Sequence, residues 1–300
     1  MGFTFIEKPY TLFAAEKPPA KVNVAVYEKG PKVLVQGKGT EDFVKFCLEP
    51  EILGAAKLGY EEELHPEAYA PHFGIDESGK GDFFGPLVVA GVYVDKEIAR
   101  ALLAAGVTDS KKIGSDARIR ALANVIKTTP GVAHNVVLIG PEAYNRLYLK
   151  MGNLNRLLGW GHARVIENLL AARPDCPRAL SDQFANPSVI QRQLLEKGRA
   201  IQFDQRTKAE SDPAVAAASI LAREKFIDWL ADAGAQHGLG RALPRGVSSE
   251  VKSAARQLVA AHDGSGGILR AVAKTHFRTA HEVAPADFPP PPPAPARWRK

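Results

Sequence analysis

Residues 72–95 read HFGIDESGKGDFFGPLVVAGVYVD, and this stretch decides the fold. FGIDE and PLVVAGVYVD are apolar and rich in β-formers, so they read as two strands joined by the turn SGKGDFFG. Downstream, ARIRALANVIKTT reads as a helix, NVVLIG as a strand, and Glu142 to about Ala172 as one long helical stretch. RALSDQF (178–184) and AIQFDQ (200–205) are further short strands. AVAAASILAREKFIDWLADAG after Pro213 and SEVKSAARQLVAAHD are helices. Strands alternating with helices predict an α/β domain with a mixed central sheet.

Upstream, KVNVAVYEKGPKVLVQGKG (21–39) holds two alternating segments with a turn at Glu28-Lys29-Gly30-Pro31. Thr40 precedes EDFVKFCLEPEILG as an N-cap would, giving strand, turn, strand and helix: a small α+β unit. EEELHPEAYAP (61–71) interrupts the apolar pattern. VAPADFPPPPPAPARWRK ends the chain as a proline tract that continues neither helix nor central strand. The division expected is a small domain over 1–65, a linker over 66–71, a larger domain over 72–283 and a disordered tail over 284–300.

Composition narrows the function classes. The 300 residues are 45% hydrophobic and 24% charged, as in a soluble globular protein. Cys47 and Cys176 form neither a CxxC pair nor a disulfide framework, which fits a reducing cytosol and argues against structural zinc. MGFTFIEKPYTLF lacks the basic start and apolar run of a secretory signal, and no apolar stretch is long enough to span a bilayer. The expectation is a cytoplasmic monomer without membrane contact. A net charge of +6 favours an anionic partner such as nucleic acid, though charge alone does not choose one.

The chemistry is concentrated in carboxylates. Asp76 and Glu77 end an apolar strand just before a glycine-rich turn. Crowded acids repel one another, and a divalent cation such as Mg²⁺ or Mn²⁺ is the simplest relief; a solvated turn is the plain alternative. Asp182 lies at another strand end and Glu210 just before a helix, where either would also serve as a cap or a surface acid. Four carboxylates at element ends are what a two-metal phosphodiesterase needs, but spacing does not show that they converge. In the turn, Gly79 and Gly81 let backbone approach a partner closely, or are merely structural, and Lys80 adds charge. The turn is neither a dinucleotide fingerprint nor a Walker A loop, so a nucleotide-utilising enzyme is disfavoured. TDSKK (108–112) offers Lys111 and Lys112 to phosphates or is a solvated loop. Met151, Trp160 and Trp229 read as core, and His276 in AKTHF as structural before catalytic.

GIDESGKGDFFGPLVVAGV, VTDSKKI, LSDQFA, TKAESDPAVAAASILAR and AKTHF, in this order, resemble the type 2 ribonucleases H over about residues 72–280. Lys80 in the glycine turn and Glu210 as fourth acid make the sequence most similar to the ribonuclease HIII branch. The resemblance implies a ribonuclease H-like domain preceded by a TATA-binding-protein-like module that binds substrate. It implies cleavage of the RNA strand of RNA–DNA hybrids to 3′-hydroxyl and 5′-phosphate ends. Asp76, Glu77, Asp182 and Glu210 would hold two Mg²⁺ or Mn²⁺ ions, one activating water and one stabilising the departing oxygen. Ser78, Gly79, Lys80, Gly81, Asp109, Ser110, Lys111, Lys112 and Lys208 would contact nucleic acid, with Tyr27, Lys29, Lys32, Gln36 and Lys38 from the small module. Two rivals stand beside this: cleavage at single ribonucleotides embedded in DNA, as in the HII branch, and a hybrid-binding protein without catalysis.

Overall fold

The computed structural model describes residues 3–18, 21–29, 32–44, 47–48, 52, 65–183, 190, 193–194, 198, 201–207 and 209–288. The chain divides into two compact units, Met1–Pro66 and Glu67–Lys300.

In the first unit, β1 (Thr4–Phe5), β2 (Thr11–Lys17), β3 (Val22–Tyr27) and β4 (Lys32–Gln36) form an antiparallel sheet in chain order. β3 and β4 are the two alternating segments seen in the sequence. β2, TLFAAEK, escaped that reading because its buried residues are adjacent, Ala14 and Ala15, rather than alternating. A helix, α1 (Thr40–Phe43), follows, and most of the remainder of the helix expected over EDFVKFCLEPEILG lies outside the described residues. Thr40 does not cap it as expected: Gly39 is the N-cap, and the Thr40 hydroxyl donates to Gly37 O at 2.7 Å.

The second unit holds a five-stranded sheet of β5 (His72–Ser78), β6 (Leu87–Val94), β7 (His134–Ile139), β8 (Arg178–Asp182) and β9 (Gln202–Arg206), in the order β7-β6-β5-β8-β9. β5, β6 and β7 pair antiparallel, while β8 and β9 join parallel to β5, giving the mixed sheet expected. The helices are α2 (Lys96–Ala104), α3 (Asp116–Thr128), α4 (Pro141–Met151), α5 (Leu154–Ala172), α6 (Pro213–Gln236), α7 (Ser249–Ala261), α8 (Gly267–Val272) and α9 (Arg278–Val283). The stretch read as one helix from Glu142 is thus two. Gly152 ends α4 in the left-handed conformation at φ 66°, and Asn153 caps α5 by accepting from Asn155 N at 2.8 Å.

Alternation along β5 sorts its side chains between two helical layers. On one face the backbone of Gly74 abuts α6: a Cβ there would lie 2.2 Å from the Ala214 carbonyl carbon and Val215 N. On the other face Ile75, with Val165 and Leu169 of α5, surrounds the position a Cβ on Gly91 would take. The core is continuous through both layers. Met151 and Trp160 pack against a smaller cluster around Tyr144, and Trp229 against the main one.

Two boundaries differ from expectation. Pro66–Ala68 is a 3₁₀ turn with Ala68 buried, and Tyr69 packs on the core, so 67–71 belong to the second unit. At the other end Ala284 and Phe288 are buried, and Asp287 accepts from Gly266 N at 2.6 Å. Residues 284–288, expected in the tail, thus belong to the packed second unit; the prolines from 289 lie outside the described residues.

Candidate active site

The site begins with β5. Adjacent strand residues point to opposite faces, so Asp76 shares the α6 face with Gly74, and Glu77 the α5 face with Ile75. Asp76 is buried and its carboxylate accepts from Glu77 N at 2.8 Å. Burial pushes its carboxyl well above the ordinary range; Glu77 and Asp182 push the same way, while the Glu77 N–H and Lys111 oppose them.

Glu77 has the opposite balance. Burial would raise its carboxyl, but a hydrogen bond and charge from His162, with help from Lys80, hold it below the usual value. His162 is wholly buried on α5, with Nε2 3.1 Å from Glu77 Oε2. The Lys80 ammonium stands 3.6 Å from Glu77 Oε1. The sequence reading missed His162; the small residues around it in GWGHA, which let α5 lie close to the sheet, were the available signal. A Cβ on Gly161 would come within 2.8 Å of Val89 Cγ2.

The remaining acids arrive by register and capping. Pairing of Ile75 with Ser181 in parallel β5 and β8 leads Asp76 and Asp182 out at the same end of the sheet. Asp182 Oδ1 accepts from Ala209 N at 3.5 Å, tying that strand end to the 3₁₀ turn Ala209–Ser211, which carries Glu210. The helix-capping role open to Glu210 is filled instead by Asp212, which accepts from Ala214 N at 2.9 Å and Val215 N at 3.3 Å. His72 Nε2 holds the same Asp212 oxygen at 3.0 Å, fastening the start of β5 to the start of α6.

Lys111 joins these groups. Burial lowers its ammonium, but Asp76, Asp109, Glu210 and Asp182 together raise it, so positive charge sits among acids from four separate segments. Its loop is built from α6: Ser110 N donates to Ser219 Oγ at 3.0 Å, and Arg223 donates to Ser110 O. Asp109 is used locally, accepting from Lys111 N at 3.0 Å to cap the turn Ser110–Lys112, and Lys112 is exposed.

In the glycine turn, a Cβ on Gly79 would strike Pro86 O at 2.2 Å, whereas one on Gly81 would meet nothing of the protein. Ser78 is half-buried at the end of β5. His276 stacks on Tyr148 at 4.2 Å between ring centroids, and burial, then Lys274, draws its imidazole down to about 4. It is a packed ring, as expected. Lys208 lies outside the described residues. Tyr27, Lys29, Lys32, Gln36 and Lys38 belong to the first unit, where Tyr27 faces Lys32 across β3 and β4 and the Lys32 ammonium lies 5.1 Å from the Tyr27 ring centroid.

Among the described residues no three His, Cys, Asp or Glu side chains already stand as a closed metal-ligand set. The donor chemistry nevertheless suits a hard divalent ion: all four acids offer oxygen, Asp76 is buried among other carboxylates, and a lysine supplies the local positive charge.

The family model described as Ribonuclease HII matches residues 73–280, which places the chain among the type 2 ribonucleases H. The chain is 42% identical over 285 residues to Ribonuclease HIII of Chlamydia felis (94% of this chain, 90% of the relative). It is 41% identical to that of Protochlamydia amoebophila (93% and 88%). Among solved structures it is similar to Bst-RNase HIII in complex with Mn²⁺, with TM-score 0.67 and 30% identity, covering 94% of this chain and 92% of that one. Aquifex aeolicus RNase H3 matches with TM-score 0.55 and 31% identity, covering 92% of each. The chain belongs to the ribonuclease HIII family.

Proposed function

We propose that the chain hydrolyses the RNA strand of RNA–DNA hybrids at a divalent-metal site provided by Asp76, Glu77, Asp182 and Glu210. The observation that carries this reading is geometric: parallel β5 and β8, with Ile75 opposite Ser181, end in Asp76 and Asp182 at one edge of the sheet, and Asp182 Oδ1 accepts from Ala209 N beside Glu210. Carboxylates far apart in sequence would thereby share one site, and Lys111, raised by Asp76, Asp109, Glu210 and Asp182 against the effect of burial, supports that reading.

When bound, Mg²⁺ or Mn²⁺ would activate a water for in-line attack and stabilise the departing 3′ oxygen, leaving 3′-hydroxyl and 5′-phosphate ends. Asp76, buried and short of positive charge, would provide the central ligand. His162 would fix the rotamer of Glu77 through Oε2. Lys111 and Lys112 would meet phosphates, and the Gly79-Lys80-Gly81 backbone would read ribose 2′-hydroxyls, the groups that mark RNA. Open space at Gly81 supports that role. The first unit would add duplex affinity through its sheet, where Lys8 and Lys32 place ammonium groups over the Tyr27 ring.

The test is cleavage of end-labelled substrates with Mg²⁺, Mn²⁺ or chelator. A continuous hybrid should be cut only with metal, and much faster than a DNA duplex holding one ribonucleotide. Equal or preferred cutting of the second substrate would assign the HII-like specificity, and metal-independent cutting would remove the metal site.

A further inference from the structure

Lys274 is wholly buried, an unusual place for a lysine. Its Nζ donates to Gly85 O at 2.7 Å, Asp82 O at 2.9 Å and Phe84 O at 3.4 Å. Its own backbone N donates to Phe83 O at 2.9 Å, so this residue engages four consecutive carbonyls of GDFFG. The Tyr144 ring lies 5.6 Å from the ammonium. Burial draws the ammonium down to about 7, against the pull of Asp82. Hydrogen bonding decides the charge state: an ammonium has three N–H donors for three carbonyl oxygens, whereas a neutral amine would turn its lone pair toward one of them.

The clamp has a rigid base. Asn145 of α4 donates to Ala273 O at 2.9 Å and accepts from Thr275 N at 2.9 Å, fixing the segment on both sides of Lys274. Gly85 N donates to Val272 O at 2.9 Å. On the far side the Asp82 carboxylate accepts from Gly246 N at 2.6 Å. The held segment leads directly into the glycine turn, since Asp82 N reaches back to Gly79 O at 3.4 Å.

We propose that Lys274 is a positioning residue for substrate recognition: through carbonyl hydrogen bonds to residues 82–85 it holds the Gly79–Gly81 backbone in the shape that meets the ribose of the scissile strand. This rests on the function proposed above. Lys274 makes no hydrogen bond or ion pair to the four acids, and of the turn it holds only Lys80 reaches one of them, Glu77 at 3.6 Å, so its main effect falls on substrate binding. A helix or a packed aromatic would fix the segment less specifically, because only a cation answers three converging carbonyl dipoles at once.

The test is Lys274→Met, which keeps length and removes the donors, in the full chain. Amide hydrogen exchange over 79–86 should quicken about tenfold or more while β5 and β8 stay protected. On continuous hybrid, kcat/KM should fall about tenfold to a hundredfold, mainly through KM, with Mn²⁺ affinity within about twofold of wild type. Unchanged loop exchange, or kcat/KM within about twofold of wild type, would overturn the proposal. So would a loss carried by kcat together with Mn²⁺ affinity. If Lys274→Met does not fold, Lys274→Gln, whose amide keeps two N–H donors, is read by the same criteria, with smaller shifts in the same direction expected. Exchange is measured without substrate, so a wild type inactive on hybrid would refute the function while loop exchange still judged Lys274.

Discussion

The two faces of β5 treat neighbouring carboxylates in opposite ways. On the α5 face, Glu77 has a buried histidine and a lysine within reach, and its carboxyl is held below the ordinary value. On the α6 face, Asp76 is buried beside further acids with Lys111 as its offset, and its carboxyl is driven well above. The contrast teaches that the fold has already neutralised one acid and left the other short of positive charge. A divalent ion bound among Asp76, Asp182 and Glu210 would remove that imbalance.

The hardest blow to the contrast is Asp76→Asn. Several kcal/mol of transition-state stabilisation should vanish, lowering cleavage on the order of 10³-fold, while gel-shift affinity for hybrid stays within a few-fold. Turnover near wild type would show that the Asp76 face does no chemistry. His162→Ala strikes the other face: it leaves Glu77 without its buried partner and should cost about ten- to a hundredfold in Mn²⁺ affinity or activity, and full activity would make the histidine mere packing. Lys111→Met should weaken hybrid binding modestly and reduce the slope of log affinity against log salt by about one. An unchanged slope would take Lys111 off the phosphate path.

Stability against pH sharpens the contrast with less effect but a clear sign. The folded value of Asp76 lies above its unfolded one, so its cost is absent below the unfolded value and grows as pH rises through the folded one. Glu77 is depressed, so its stabilisation is present above the unfolded value and lost as pH falls through the folded one. In chelator at pH 7.5, Asp76→Asn should therefore stabilise the protein by on the order of 1 kcal/mol, and Glu77→Gln should destabilise it. Denaturant titrations should show the Asp76→Asn gain shrinking toward pH 4, and added Mn²⁺ should favour wild type instead. A destabilised Asp76→Asn protein would contradict the sign.

Much of this was legible in the sequence. The strands FGIDE and PLVVAGVYV and the helix after Pro213 carried strong patterns, and the family motifs placed the four acids. What stayed hidden was set by tertiary pairing. Asp76 and Glu77 point to opposite faces by strand alternation, yet Glu77 still raises the Asp76 carboxyl, as crowding of adjacent acids predicts. Asp182 reaches Asp76 only through the register of β5 on β8. His162 and Lys274 carry no local signal in the sequence, because each has a buried partner 85 or 192 positions away. Gly152, a lone glycine inside a helical pattern, gave too weak a signal to divide α4 from α5.

The most direct test of the shared acid site is Mn²⁺ titration, followed by loss of the free-ion paramagnetic resonance signal, of wild type, Asp76→Asn, Asp182→Asn and Glu210→Gln. All four proteins should be folded, wild type should bind Mn²⁺, and each substitution should weaken binding at least about tenfold. Equal affinity across the four would show that these carboxylates do not share a metal.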